Sequence, residues 1–83
     1  MTLYRIVLMK PARMFIERQS KQNQERLLRS ISRLPYEGDV KPLSGHKSAF
    51  RLRVGDFRVI YSVYDDTFTV EVVYVGNRGD IYK

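Results

Sequence analysis

The chain has no cysteine, one histidine and only nine acidic residues against fifteen basic ones. Without cysteine there is no disulfide and no thiol chemistry, a composition compatible with the cytoplasm, where the chain is expected to act. One histidine and no thiol also argue against a zinc site. No long apolar run is present, which excludes a membrane-spanning helix. The apolar stretch from Leu3 to Met9 is broken by Arg5 and ends at Lys10 and Pro11, so it does not read as a signal peptide. The usual catalytic sets are missing as well. No carboxylates pair at a recognisable spacing, and His46, in a loop between Gly45 and Lys47, suits a structural hydrogen bond better than proton transfer. Gly76 and Gly79 flank Asn77 and Arg78 without a phosphate-loop or dinucleotide pattern and read as turn glycines.

What is present is positive charge. A formal charge of +6 and a pI near 9.9 on 83 residues describe a small basic domain that gathers polyanions by long-range attraction and counterion release. Nucleic acid is the leading partner; an acidic protein is the alternative. A chain of this length is one domain, residues 1–83, burying only about 60–65% of the surface its unfolded form exposes.

The basic residues are not scattered. Across Phe50–Tyr61, apolar and basic residues alternate with period two on both sides of Gly55-Asp56. In a strand this puts Phe50, Leu52 and Val54 on one face and Arg51 and Arg53 on the other. A two-residue type II′ turn at Gly55-Asp56 would set Val54 opposite Phe57 and Arg53 opposite Arg58. Like charges facing each other across a sheet repel by up to about 1 kcal/mol, so a cluster held this way points to a negative ligand. Taken singly, each arginine is an ordinary solvated residue.

Around the hairpin the pattern predicts a first strand over Tyr4–Met9 and a short helix from Pro11 to about Gln19 with Met14, Phe15 and Ile16 inward. A second, amphipathic helix follows from about Gln22 to Leu34, with Leu27, Leu28, Ile31 and Leu34 inward. Residues 35–48 read as a loop pinned by Val40 and Leu43, and 68–75 as a last, central strand. The expected fold is an α+β sandwich, order β-α-α-β-β-β, with two helices on one face of a mainly antiparallel four-stranded sheet. Arg51, Arg53 and Arg58 then line the open face, joined by Arg78 if the tail folds back. Tyr82 suits stacking on a base, a hydrogen bond to a phosphate or capping the core, and spacing alone does not choose.

The opening Tyr4-Arg5-Ile6-Val7, the loop Leu43-Ser44-Gly45-His46-Lys47, the hairpin Arg51–Tyr61 and the ending Val75-Gly76-Asn77-Arg78-Gly79-Asp80-Ile81-Tyr82 together resemble the RelE/ParE toxin superfamily. Within it, the chain resembles the RelE-like mRNA interferases of type II toxin-antitoxin systems. The resemblance implies a RelE-like (microbial RNase-like) fold and a metal-independent endoribonuclease without cofactors. Such an enzyme cleaves mRNA in the ribosomal A site by driving a ribose 2′-OH onto the adjacent phosphorus, which inhibits translation. The family's site residues fall on Arg51, Arg53, Arg58, Arg78 and Tyr82, and RNA contacts on Lys47, Arg51, Arg53 and Arg58. Arg51 and Arg53 stand where the best-described relative has lysines, and Asn77 where some relatives have histidine. Arginine is a poor general base, so such a site would work by orienting the 2′-OH and stabilising the phosphorane. The resemblance also implies a cognate acidic, RelB-like antitoxin in a hetero-oligomer. The alternatives are a ParE-like gyrase poison without nuclease activity, whose relatives usually lack the complete basic and tyrosine set, and a degenerate member kept only to bind an antitoxin.

Overall fold

The computed structural model of the chain describes residues 2–45 and 48–77. Met1, His46, Lys47 and the segment 78–83, with Arg78 and Tyr82, lie outside the described residues. Strand β1 (Arg5–Leu8) leads into helices α1 (Lys10–Glu17) and α2 (Lys21–Ser32). Strands β2 (Asp39–Pro42), β3 (Ala49–Val54), β4 (Phe57–Tyr64) and β5 (Thr69–Asn77) follow, with a 3-10 turn, Asp65–Thr67, before the last. They form one sheet in the order β1-β5-β4-β3-β2. β1 runs parallel to β5, and the other neighbours are antiparallel.

The helices begin where the sequence allows. Pro11 sits in the first turn of α1, where its missing N–H is not needed. Ser20 caps α2, its hydroxyl accepting from the Asn23 N–H at 3.2 Å. The side-chain amide of Gln24 reaches back to the carbonyls of Glu17 and Gln19, so the second helix closes the end of the first.

Ala12 and Ile16 of α1, with Leu27 and Ile31 of α2 and Leu34 just beyond it, pack on one face of the sheet. That face is built from Leu52, Val54, Phe57, Val59, Tyr61, Val70, Val72 and Val75. Half-buried Phe15 meets Phe57 edge-on, and Phe50 stacks on Tyr61 at 5.6 Å. Among the described residues no helix is long and apolar enough to cross a membrane.

Three expectations are corrected. The sheet has five strands, because the segment read as a loop over 35–48 contains β2, which pairs Val40 with Leu52 along the edge of β3. In α1 Met14 is exposed and Ala12 occupies the inward position. In α2 Leu28 is 43% exposed, since it lies about 100° around the helix from Leu27 and outside the narrow stripe that Leu27 and Ile31 share.

Urea denaturation checks this packing. Leu27→Ala should cost about 2–5 kcal/mol through lost transfer energy and a cavity. Leu28→Ala should stay within about 0.5 kcal/mol, as expected of a surface substitution.

Candidate functional site

The hairpin turn adopts the expected geometry. Gly55 has φ +59° while Asp56 is not in the positive-φ region, the signature of a type II′ turn. The register then falls as the alternation requires: Val54 opposite Phe57, Arg53 opposite Arg58, Leu52 opposite Val59 and Arg51 opposite Ile60.

Carried across the sheet, this register lays two rows of side chains on the face opposite the helices. One runs Lys41, Arg51, Ile60, Tyr74 from β2 to β5, and the next runs Asp39, Arg53, Arg58, Gly76. With strands about 4.8 Å apart, each row spans about 14 Å. Four basic side chains therefore share these two rows with one carboxylate, and the next row of the same face, Ala49, Ser62, Glu71 and Val7, adds a second. The second row descends from exposed Asp39 and Arg53 to buried Arg58 and Gly76, so the face has depth.

Arg58 departs from the expectation of an open, solvated position. It is only 4% exposed, and its Nη1 donates to the carbonyl oxygens of Gly55 at 3.2 Å and Phe57 at 3.0 Å. These carbonyls offset part of its charge, so the Arg53–Arg58 register is less repulsive than two facing cations would be. Its Nε is also buried and has no hydrogen-bond partner among the described residues. An unsatisfied N–H on a permanent cation destabilises the fold, so this guanidinium is held in place at a cost to stability.

On the helix side of the turn, the Arg26 guanidinium lies directly against Gly55, where any Cβ would collide with it. Glycine is favoured here by its positive φ, while the Arg26 guanidinium, at the end of a flexible side chain, could move aside for a Cβ. Two tyrosine hydroxyls are pushed up to about 12, Tyr4 by its 2.7 Å hydrogen bond to the Asp65 carboxylate and Tyr61 by burial, and neither belongs to the two rows.

Of the residues singled out from sequence, Arg51, Arg53 and Arg58 come together on this face, while Lys47, Arg78 and Tyr82 lie outside the described residues. The sequence reading missed Lys41 and Asp39, which join the face only because β2 is a strand, and it missed Tyr74. It also missed the contact of Arg26, on α2, with the hairpin turn.

The family model for the ParE toxin of type II toxin-antitoxin systems matches residues 9–82. No curated protein matches by sequence. Among solved structures, the fold is similar to that in the archaeal RelE–RelB complex of Pyrococcus horikoshii, with TM-score 0.80 and 29% identity over 94% of this chain and 98% of that one. It is also similar to that in the RelBE2 toxin-antitoxin complex of Mycobacterium tuberculosis, with TM-score 0.76 and 23% identity over 93% and 100% of the two chains. The isolated RelE toxin of Escherichia coli gives TM-score 0.75 and 19% identity over 89% and 83%.

Replacing the buried cation by an apolar residue of similar length tests whether it serves folding. Arg58→Met should leave stability within about 1 kcal/mol of wild type or raise it, because removing a poorly satisfied buried charge is often neutral or stabilising. A loss of about 3 kcal/mol or more in urea denaturation, the size expected when a buried pair is broken, would make Arg58 a structural residue.

Proposed function

The chain belongs to the RelE/ParE superfamily of toxins of type II toxin-antitoxin systems, and from that premise we propose that it is an mRNA interferase, a ribosome-dependent endoribonuclease. The observation that supports this most directly is the collection of Lys41, Arg51, Arg53 and Arg58 on one helix-free face, with Arg58 fixed by the hairpin turn.

In the proposed reaction the ribose 2′-OH attacks the adjacent phosphorus in line. The new 2′-O–P bond forms as the bond to the 5′-oxygen breaks, leaving a 2′,3′-cyclic phosphate and a 5′-OH. Arg51 and Arg53 hold the non-bridging phosphate oxygens, to which their planar forks are matched. Arg58 stabilises the additional negative charge of the phosphorane. Arg78 would stabilise the leaving 5′-oxygen, which takes its proton from water or a ribosomal group, Tyr82 would align the substrate, and Lys47 would contact the RNA. Guanidinium groups do not accept a proton near neutrality, so the 2′-OH proton passes to water or to a ribosomal group. The ribosome is required in this scheme because it bends the mRNA into the in-line geometry that the toxin does not impose by itself.

An unmasked enzyme of this kind would arrest its host, and several structural neighbours were solved in complex with RelB antitoxins. A +6 domain suits an acidic antitoxin, partly disordered alone, that folds onto the toxin and covers the arginines. The gyrase-poison reading is favoured only by the name of the matching family model, and its biochemical signature is different.

Primer extension on programmed ribosomes should show A-site cuts, with naked RNA scarcely touched. Arg58→Ala and Arg78→Ala should each slow single-turnover cleavage about a hundredfold, while Arg29→Ala on α2 stays within about threefold of wild type. Inhibition of DNA supercoiling without RNA cleavage would replace this reading with gyrase poisoning. Co-expression with the product of a neighbouring acidic gene should restore growth and yield a stable complex lacking ribosomal cleavage activity; a complex that still cuts would refute masking of the arginines.

A further inference from the structure

β5 changes phase along its length. In its first half the even-numbered residues Val70 and Val72 are buried, paired with Val63 and Tyr61 of β4. Continued alternation would turn Tyr74 into the core and Val75 outward. Instead the register shifts by one residue between Ile60 and Tyr61, leaving Val73 as the extra residue of a β-bulge. Beyond it Val75 is buried, while Tyr74 pairs with Ile60 and Gly76 with Arg58 on the cationic face. The bulge therefore moves one aromatic ring out of the core and into the candidate site.

The ring is seated there. Tyr74 is 40% exposed, and the outer edge of its ring lies over Gly76, where a Cβ would come to 3.0 Å from Cε2 and 3.4 Å from the hydroxyl oxygen. The backbone of Gly76 is not in the left-handed region, so a Cβ there would meet the ring and push it by a few tenths of an ångström rather than strain the chain. Because Gly76 faces Arg58 across the sheet, Tyr74 occupies the diagonal position to Arg58, with about 7–8 Å between the two residues' backbone positions.

We propose that Tyr74 is a base-stacking platform, a positioning residue for the base of the nucleotide whose phosphate Arg58 holds; the choice of single-stranded RNA as ligand rests on the mRNA-cleaving reading. A half-exposed aromatic ring beside guanidinium groups is the combination that binds single-stranded RNA with little regard to sequence. The seat over Gly76 restricts the ring before RNA arrives, which lowers the ordering cost of binding. The bulge interrupts the β4–β5 ladder, so its compensating role is the side chain it re-aims.

The probe is a 2′-O-methyl RNA hexanucleotide carrying 2-aminopurine, which has no 2′-OH to cleave and loses fluorescence on stacking. Wild type and Tyr74→Phe should quench it. Tyr74→Leu should lose the quench and bind about 5- to 150-fold more weakly, the range reported for one base–aromatic stack. On programmed ribosomes Tyr74→Leu should raise KM by a similar factor with kcat within about threefold of wild type, and Tyr74→Phe should restore both. Gly76→Ala should weaken binding in the wild-type background but not in Tyr74→Leu, as expected if it acts through the ring. No quench by wild type, or equal quench by Tyr74→Leu, overturns the assignment. So does a Tyr74→Leu protein that binds RNA normally but no longer binds an acidic antitoxin. Quenching that depends on Tyr74 in a wild type that cuts no mRNA would support the platform while refuting the cleavage reading.

Discussion

The two-residue turn at Gly55-Asp56 is the constraint on which the two faces of the sheet depend. Side chains alternate with period two, so a slip of one residue in β3 against β4 would send Arg51 and Arg53 into the core and expose Leu52 and Val54. The turn is fastened from both sides. On the open face Arg58 donates to the carbonyls of Gly55 and Phe57, and on the helix face the Arg26 guanidinium packs against Gly55. Arg58, a residue of the candidate site, is thereby anchored on the turn that sets the register.

The helical layer and the central strand meet this constraint from the other direction. β5 lies between parallel β1 and antiparallel β4 and must bury a side chain under the helices along most of its length. A regular strand could do so only by keeping one parity throughout. The bulge at Val73 lets β5 satisfy the core with Val70 and Val72 before it and Val75 after it, and so frees the intervening positions for the open face. Core packing and surface chemistry are thus separated by backbone phase rather than by composition.

The hairpin was legible in the sequence because two signals coincide there: strict apolar–basic alternation and a glycine at the position where a type II′ turn needs it. Element order, the two helices and the central place of β5 were legible from periodicity. β2 was not, because four residues including Pro42 carry no pattern of their own and become a strand only against β3. Leu28 and Met14 were misread because an apolar residue beside a helical stripe looks like part of it. The burial of Arg58 depends on its side chain turning back onto turn carbonyls, a tertiary event that spacing does not encode. The bulge was invisible for a related reason: a run of β-branched residues fits either parity. In the candidate site, Arg51, Arg53 and Arg58 were found from the pattern, while Lys41 and Tyr74 were hidden behind the missed strand and the missed bulge.

Exposure divides the cations of this face into two kinds. Lys41 and Arg53 are exposed, where solvent and salt screen them, so their attraction for a phosphate, at a distance or in contact, weakens with salt. Arg58 is buried, and its Nη1 donates to two neutral carbonyls. Such a charge is poorly screened and is already oriented before a ligand arrives. Under the proposed reading, the charge that appears between a phosphodiester and a phosphorane is felt most strongly by the least screened cation, so Arg58 distinguishes transition state from ground state better than its exposed neighbours do. The unsatisfied Nε and the loss of hydration that make this residue unfavourable for folding are, on this view, the same properties that make it effective in the reaction.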